Sequence, residues 1–278
     1  MTVTLLAAIL EGAVERELIV RNPAKGRGRR VRERAPRRTY LETAVQIKAL
    51  LDAAGELDQQ AHPACQHIER RAMLATLTFA GLRIGELCAL RWRDVDLAGG
   101  WLHTGSKTDA GWRRVKIRGA LRDELLAVRG RQQDAPQDSF VFPTAKGARM
   151  SDDNFRARVL GRPVATIDGE ERKGAGAVGH ANTRLEAAGL PPLPKLTPHS
   201  LRRTFCSVLY ALGEDPGTVM DEMGHANPAL ALRVYRQAMR RGEDEKAQLR
   251  ALVEGVEVAD IGRRAAETAT DATEREAA

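Results

Sequence analysis

The sequence has few of the residues on which several classes of protein depend. It holds three cysteines, Cys65, Cys88 and Cys206, an odd and scattered set without the spacing of metal ligands. Such cysteines are typical of buried thiols in a reducing compartment. No stretch approaches the roughly 18 consecutive apolar residues of a membrane span, and the N-terminus lacks the pattern of a secretory leader. We therefore expect a cytoplasmic protein without membrane contact.

Clustered metal ligands and tyrosines are also scarce. No grouping of Asp, Glu and His resembles the ligand set of a metal-dependent nuclease, which disfavours that class. The only tyrosines are Tyr40, Tyr210 and Tyr235. Tyr40 falls near the basic linker, Tyr210 lies within an apolar helical pattern, and Tyr235 lies in a predicted helix shortly after His225. A reaction that uses a tyrosine therefore has few candidates in this chain.

Charge, by contrast, is plentiful and unevenly distributed. The 278 residues carry a net charge of +7 from 44 basic and 37 acidic side chains. Residues 21–38 contain nine basic side chains and a single acid, whereas residues 242–278 contain ten acids and five bases, which leaves +12 on the first 241 residues. A basic body with an acidic tail indicates a polyanion partner, although a soluble protein with a charged surface would share this composition.

Apolar periodicity predicts a mostly helical chain with a small antiparallel β-sheet, an α+β fold. The hydrophobic content of 43% is enough for at least one substantial core. A β-hairpin is predicted from residues 101–103 and 114–117, with a polar, glycine-containing tip at 106–111, and a further strand at 139–143. Residues 161–195 lack a sustained period and are interpreted as a mobile or DNA-facing insertion, with a short helix around 183–188. Helices are predicted over residues 3–18, 39–54, 69–79, 82–90, 121–128, 151–160, 201–212, 218–223, 227–241 and 243–253.

Residues 25–38 form a basic, glycine-containing segment without apolar periodicity, which predicts a linker. It includes Arg27, Arg29, Arg30 and Arg32. The segment is either a solvated tether or a strap lying along DNA phosphates, and its charge density favours the strap.

Five short motifs carry residues suited to one chemistry, phosphoryl transfer onto a phenolic oxygen. Attack on a DNA phosphodiester requires that the phosphate be neutralised, that charge on its nonbridging oxygens be stabilised, and that the departing sugar oxygen receive a proton. Arginine makes bidentate contacts with phosphate oxygens, and a lysine suits the leaving oxygen. The motif residues are Arg83 with Glu86, Lys107 at the hairpin tip, His199 with Arg202 three residues on, His225 after a helix-ending glycine, and Tyr235.

Taken singly, each motif has an ordinary structural explanation. Arg83 and Glu86 form a common helix pair worth about 0.2–0.5 kcal/mol, and a lysine at a hairpin tip is usually solvated. Lys116, on the strand, is the nearest alternative to Lys107. A lone helical tyrosine usually belongs to the core or the surface. The catalytic interpretation therefore depends on taking all five motifs together, in the order in which they occur.

These motifs resemble those of the tyrosine recombinase (phage integrase) family, over roughly residues 37–255. The resemblance implies a site-specific recombinase or integrase that cleaves and rejoins DNA through a 3′-phosphotyrosine, without metal or ATP. The segments that carry it are residues 78–87, Ser106-Lys107-Thr108, His199-Ser200-Leu201-Arg202, Gly224-His225 and Arg233-Val234-Tyr235.

Each motif residue acquires a role from this resemblance. Tyr235 is the nucleophile, and Arg83 and Arg202 clamp the phosphate. Lys107 is the general acid, and Glu86 supports the site. The remaining roles follow in the same way: His199 assists proton movement, His225 hydrogen-bonds a phosphate oxygen, and Arg203 joins the linker arginines in binding DNA.

The resemblance also predicts domains and partners. Residues 1–36 are expected to be a remnant of an N-terminal core-binding domain plus the basic linker, 37–255 the catalytic domain, and 256–278 an acidic, disordered tail. The expected partners are double-stranded DNA at an attachment or recombination site of a mobile element, a homotetramer on that DNA, and accessory DNA-bending proteins. The alternative is a DNA-binding module, or a decayed integrase remnant, that binds DNA without recombining it; the short helices and glycine turns of residues 199–236 could serve as a helix-turn-helix.

Overall fold

The structure, a computed structural model, describes residues 2–25, 39–105, 112–161, 166–167, 170–171, 176–224 and 241–255. The chain divides into two compact units, residues 1–38 and 39–278. The helices are α1 (Thr2–Glu15), α2 (Ala44–Gln59), α3 (Arg70–Ala80), α4 (Ile84–Ala89), α5 (Gly119–Arg131), α6 (Asp152–Phe155, continued by a π-helical turn at Arg156–Leu160), α7 (Ala177–Ala187), α8 (Pro198–Leu212), α9 (Pro216–Met223) and α10 (Glu243–Glu254). The strands are β1 (Val95–Asp96), β2 (Trp101–Thr104), β3 (Arg113–Lys116), β4 (Thr166–Ile167) and β5 (Glu170–Glu171).

The first unit is α1 and a short segment that returns along it. The amide of Asn22 donates to the Ala7 carbonyl and to the Glu11 carboxylate, each at 2.7 Å. Lys25 donates to the other oxygen of Glu11 at 2.6 Å. These side-chain contacts hold the returning segment against the helix.

Helix α3 lies at the centre of the second unit. It packs against α2, α5 and α8, while α10 packs against α2, α5 and α8 from the C-terminal end. Met73, Leu74 and Leu77 of α3 are completely buried. Since burying one such side chain stabilises a fold by roughly 1.5–3 kcal/mol, this shared interior fixes the helices that carry the candidate site.

The larger sheet has strand order β1-β2-β3, β4 pairs with β5 in a separate two-stranded sheet, and both sheets are antiparallel. Leu102 of β2 pairs with Val115 of β3, and both side chains are buried. The neighbouring pair, His103 with Arg114, points outward and is exposed. A mostly helical fold with a small antiparallel sheet was predicted from the sequence, and the structure confirms it.

Local sequence signals fix both ends of α8 and α9. Thr197 and Ser200 form a reciprocal capping box at the start of α8, with proline at the first helical position. Asp215 caps α9 by accepting hydrogen bonds from two backbone N–H groups of its first turn. Gly213 and Gly224 end the two helices in the left-handed conformation, as their sequence positions predicted.

Two sequence predictions were wrong or incomplete. Residues 139–143 form no strand; Phe140 and Pro143 make only isolated bridges, to Arg91 and Arg149. The Val141 N–H donates to the Leu90 carbonyl and the Ser139 carbonyl accepts from the Trp92 N–H, but this pairing does not continue into a ladder, and Pro143 has no N–H with which to extend it. Residues 161–195 are less irregular than expected, because helix α7 occupies Ala177–Ala187 and buries Ala181 and Leu185.

In the part of the chain with described coordinates, no helix is both long and apolar enough to cross a membrane.

Candidate active site

The turn between α3 and α4 brings the first arginine motif to the surface of α8. Gly81 ends α3 with φ of +59°, a left-handed conformation that glycine adopts without strain. A Cβ at this position would lie 2.1 Å from the Phe205 ring. Glycine is therefore required for α8 to pack this closely against the turn. The chain then reverses, and Arg83 becomes the N-cap of α4.

Arg83 and Glu86 form the pair that the sequence predicted. The backbone N–H of Arg83 donates to Glu86 Oε2 and its Nη1 donates to Oε1, both at 2.7 Å. The Arg83 side chain remains 46% exposed, whereas that of Glu86 is 8% exposed. A buried carboxylate thus orients a guanidinium that is still accessible to a ligand.

Arg202 lies on the inward face of α8 and is 1% exposed. Its guanidinium donates to the carbonyl of Gly81 through Nη1 and to the carbonyl of Met223 through Nη2. Among the residues described, Arg202 forms no ion pair with a carboxylate. It is a buried cation that backbone carbonyls hold in place.

Arg113 is a third arginine of this cluster, and sequence reasoning missed it. It opens β3, with a side chain 5% exposed. Its Nη1 and Nη2 donate to the two oxygens of Glu86 at 3.1 and 2.8 Å. The signal available was strand periodicity: Arg113 shares a face with buried Val115, and a charge on a buried face needs a partner. The predicted strand began one residue too late to reveal it.

The C-terminal end of α9 meets all three arginines. Its last carbonyls have no partner within the helix and carry the negative end of the helix dipole. Guanidinium groups from three different elements supply the missing donors. The pairs are Arg113 Nε with the Glu222 carbonyl at 2.9 Å, Arg202 Nη2 with the Met223 carbonyl, and Arg83 Nη2 with the Gly224 carbonyl at 3.4 Å.

The cluster holds more positive than negative charge. Burial first, and then the positive charges of Arg113 and Arg83, lower the pKa of Arg202 to about 9, against the raising effect of Glu86. Two of the three guanidinium groups, those of Arg113 and Arg83, pair with the single carboxylate of Glu86, and the third, Arg202, is buried against backbone carbonyls. An anion bound here would relieve this imbalance, because a buried charge is stable only when it is paired.

Glu86 is the carboxylate of the cluster, and its ionised form is favoured. Burial would raise its pKa, but hydrogen bonds and charge from Arg113 and then from Arg83 hold the pKa at about 2, below the usual 4.5. Glu86 therefore remains negative at neutral pH, and it acts as an acceptor and not as a proton donor.

The other predicted side chains in described positions lie on α8 and β3. His199 is exposed in the first turn of α8, three residues before Arg202. Arg203 is half-buried on the same helix, and Lys116 is exposed on β3. The expected placement of His199 and Arg202 on one helix is therefore confirmed.

Several predicted residues lie outside the described residues. They are Lys107, His225 and Tyr235 among the catalytic set, and Arg27, Arg29, Arg30 and Arg32 of the linker. The predicted hairpin tip, residues 227–240 of the predicted helix at 227–241, and the tail at 256–278 also lie outside them.

The two other tyrosines are unsuited to attack a bound phosphate. Tyr40 is 6% exposed and Tyr210 is 4% exposed. Desolvation raises the pKa of Tyr40 to about 12, so its phenolate is disfavoured. Burial likewise raises the pKa of the Cys88 thiol to about 11 and that of Cys206 to about 12, which makes both thiols inert.

The described part of the chain contains no group of three or more His, Cys, Asp or Glu side chains placed to hold a metal ion. The arrangement of arginines provides instead a rigid set of N–H donors around a positive centre. Such a set binds phosphate oxygens and stabilises the charge that grows on them during phosphoryl transfer.

Relatives with curated descriptions are similar to this chain over part of its length. Tyrosine recombinase XerC of Xanthomonas axonopodis pv. citri (strain 306) is 31% identical over 162 residues, which are 57% of this chain and 44% of that protein. The transposase from transposon Tn916 of Enterococcus faecalis is 42% identical over 66 residues, 21% of this chain and 16% of that one. The chain thus spans less than half the length of these relatives.

A solved structure has the same fold. The Tn1549 transposon integrase in complex with transposon right end DNA superposes with a TM-score of 0.61 at 21% sequence identity, covering 88% of this chain and 75% of that one. This likeness shows a shared fold and no more. At the sequence level, the model of the phage integrase family matches residues 42–241. Since that match takes in well over half of the chain, including both arginine motifs, this protein belongs to the phage integrase family of tyrosine recombinases.

Proposed function

We propose that this protein is a DNA strand transferase, a site-specific recombinase or integrase that cleaves and rejoins DNA through a 3′-phosphotyrosine at Tyr235. The observation that carries the proposal is Arg202. It is a fully buried guanidinium with no carboxylate partner among the described residues, flanked by two further arginines that share one Glu86. A phosphodiester is the anion that this arrangement would accept.

The arginines would perform the electrostatic part of the reaction. Arg83 reaches solvent and would engage one nonbridging oxygen of the DNA phosphate, while Arg202 raises the positive potential from below. As the phosphorus becomes pentacoordinate, negative charge grows on the nonbridging oxygens. Donors that are already fixed by Gly81, Met223 and Glu86 stabilise that charge without reorganising.

The bond changes balance without an external cofactor. The Tyr235 phenolic oxygen passes its proton to a base, a step that we assign to His199, and forms a bond to phosphorus, while the bond from phosphorus to the 5′ sugar oxygen breaks. Lys107 would give the departing oxygen its proton, leaving a free 5′-hydroxyl. Attack by a 5′-hydroxyl on the phosphotyrosine reverses these steps and rejoins the strand. The covalent intermediate conserves the energy of the original linkage, so neither metal nor ATP is needed.

The burial of the two other tyrosines supports Tyr235 as the nucleophile. Tyr210 lies eight residues beyond Arg202 on the same helix, roughly 12 Å along its axis, and is buried. Tyr40 is also buried. His199, exposed in the first turn of α8, is available to assist proton movement, and we assign His225 to hydrogen bonding of a phosphate oxygen.

The partners follow from the same chemistry. We propose that residues 37–255 act as the catalytic domain on double-stranded DNA, with Arg27, Arg29, Arg30, Arg32 and Arg203 contacting phosphates. A homotetramer on DNA and accessory DNA-bending proteins belong to this proposal. The solved structure of the Tn1549 integrase contains transposon DNA, which supports DNA as the partner. Three free cysteines, two of them buried, support action in the reducing cytoplasm.

Covalent capture tests the proposal without knowledge of the target site. The protein is incubated with a library of nicked duplexes of random sequence, denatured, and recovered with any DNA that remains attached. We expect wild type to retain DNA in the presence of EDTA, and Tyr235→Phe to retain none, because phenylalanine has no oxygen to attack phosphorus. Sequencing the captured DNA identifies a duplex for later assays.

Tyr210→Phe is the matched control, since it removes the same atom from a buried tyrosine. It should form adducts as wild type does. Wild type that binds DNA but forms no adduct would instead establish the alternative, a DNA-binding protein that does not recombine. Adducts that survive in Tyr235→Phe would overturn the assignment of the nucleophile.

A further inference from the structure

We propose that Arg113 is a positioning residue for the phosphate clamp, setting the placement of both Arg83 and the end of α9. The inference rests on the proposed function and deepens it. Arg113 lies at the start of β3, on the strand face that packs inward beside Val115. Its side chain, 5% exposed, has little access to a ligand, so its role is exerted through its neighbours.

Arg113 and Arg83 share Glu86 in a symmetrical way. Each Glu86 oxygen accepts one hydrogen bond from Arg113 and one from Arg83, at distances between 2.7 and 3.1 Å. The bidentate bond from Arg113 fixes the plane of the carboxylate. The carboxylate in turn fixes the Arg83 guanidinium, whose own side chain is half-exposed and would otherwise sample several rotamers.

The same guanidinium also holds the last turn of α9. Arg113 Nε donates to the Glu222 carbonyl at 2.9 Å, and the stem of Arg113 packs against Gly224, where a Cβ would lie 3.0 Å from Arg113 Cδ. A second buried arginine also contacts this turn: Arg118 makes a bidentate pair with the Glu222 carboxylate at 3.0 and 3.1 Å. His225 directly follows Gly224 in the sequence. Arg113 therefore ties the first arginine motif to the segment that leads into the His225 motif.

Arginine is needed for this because one side chain must satisfy three acceptors in fixed directions. A lysine retains the charge but has a single nitrogen, which cannot reach both oxygens of Glu86 and the Glu222 carbonyl together. Arg113→Lys thus loosens the cluster while leaving its net charge unchanged. The variant separates positioning from electrostatics.

The test compares Arg113→Lys with wild type on a duplex obtained by covalent capture. We expect the single-turnover rate of adduct formation at saturating DNA to fall about 10- to 100-fold, because displacement of a reacting group by about 1 Å has effects of this size. The half-saturating DNA concentration should change by less than about threefold, since a duplex is also held by phosphate contacts outside this cluster. An unchanged rate would overturn the proposal.

Arg70→Lys is the matched control. Arg70 is 11% exposed and, like Arg113, bridges a carboxylate and a backbone carbonyl: it donates to Asp58 at 3.0 Å and to the Arg158 carbonyl at 3.1 Å. It lies at the opposite end of α3 from Gly81. We expect Arg70→Lys to lower the melting temperature about as much as Arg113→Lys does, but to leave the rate unchanged. Equal losses of rate in both variants would show that Arg113 acts only through stability.

A second experiment tests the role of Arg113 even if wild type forms no adduct. That result would contradict the proposed function but not the positioning role of Arg113. Inorganic phosphate, titrated against chloride at equal ionic strength, should raise the melting temperature of wild type and of Arg70→Lys. In Arg113→Lys the rise should be smaller by about half or more, since Arg83 is no longer oriented. An equal rise in all three proteins would overturn the role of Arg113.

Discussion

The two arginine motifs of the proposed phosphate clamp are held in opposite ways. Arg83, on the turn between α3 and α4, is 46% exposed and is oriented by a carboxylate, Glu86. Arg202, on α8, is 1% exposed and is oriented by backbone carbonyls of Gly81 and Met223. The first motif is an ion pair whose arginine is exposed, and the second is a buried arginine held by backbone carbonyls.

The difference separates two requirements of an anion site. A ligand must be able to reach at least one donor, and Arg83 is accessible. The site must also attract an anion after water has left, and Arg202 provides a buried charge that forms no ion pair with a carboxylate among the described residues. If this division is correct, substitutions around Arg202 should affect stability more than substitutions at Arg83.

Gly81→Ala should have the largest effect on stability. Gly81 forms the turn that leads to Arg83, and its carbonyl accepts a hydrogen bond from Arg202. The new Cβ would lie 2.1 Å from the Phe205 ring and would require a left-handed backbone at φ of +59°. Left-handed strain and overpacking together should lower the free energy of unfolding by about 4 kcal/mol. Urea denaturation measures this change.

Gly130→Ala is the matched control for that variant. A Cβ there would meet no atom within 4 Å, and Gly130 lies inside α5 with ordinary helical φ. It should be neutral or stabilise by up to about 1 kcal/mol. A Gly81→Ala protein as stable as wild type would contradict the tight packing between the α3–α4 turn and α8.

The pH dependence of stability measures how strongly Glu86 is held by Arg113 and Arg83. The pKa of Glu86 is about 2 in the folded protein against 4.5 ordinarily, so the unfolded state binds more protons in this interval. The stabilisation, about 3 kcal/mol, is fully present above about pH 4.5 and is lost as the pH falls toward 2. Urea denaturation at several pH values should show it in wild type.

Glu86→Gln supplies the reference for this titration. The difference in unfolding free energy between wild type and Glu86→Gln should shrink by about 3 kcal/mol between pH 5 and pH 2, because glutamine does not titrate. Other carboxylates titrate in both proteins and cancel. A difference that stays constant over this range would mean that Arg113 and Arg83 do not hold the carboxylate as described.

Replacing Arg202 or Arg83 by alanine tests the comparison directly, and we expect smaller changes in stability than for Gly81→Ala. Arg202→Ala should lower the free energy of unfolding by about 2 kcal/mol, since buried carbonyls lose their donor and release of a desolvated charge offsets only part of that loss. Arg83→Ala should change it by less than about 1 kcal/mol, as is usual for an exposed pair. Thermal and urea unfolding of both proteins give the comparison, and equal losses would break it.

Sequence reasoning succeeded where local signals coincide with tertiary packing. The ends of α8 and α9 were predicted from Gly213 and Gly224, which need no distant partner to terminate a helix. Helical spacing also predicted the contact between Arg83 and Glu86 and the placement of His199 and Arg202 on one helix. The strand at 139–143 was wrong because an apolar run alone does not show whether a neighbouring edge is available.

Arg113, which sequence reasoning missed, depends on contacts with residues that are distant in the chain. Arg113 stands next to Arg114 on β3, and nothing local separates a buried arginine from an exposed one except the strand register. Its partners, Glu86 and the Glu222 carbonyl, are 27 and 109 residues away along the chain. Contacts between residues so far apart in the chain leave no regular spacing that sequence analysis could recognise.

The sequence by itself determined the helical elements, their glycine ends and the motif residues, because capping, left-handed turns and helical periodicity act over a few neighbouring residues. Only the tertiary structure decided which arginine is exposed, which is buried, and that three of them converge on the end of one helix. Burial depends on what the rest of the chain packs against each side chain. The charge balance of the site, and with it the case for a phosphate ligand, is therefore a property of the folded protein.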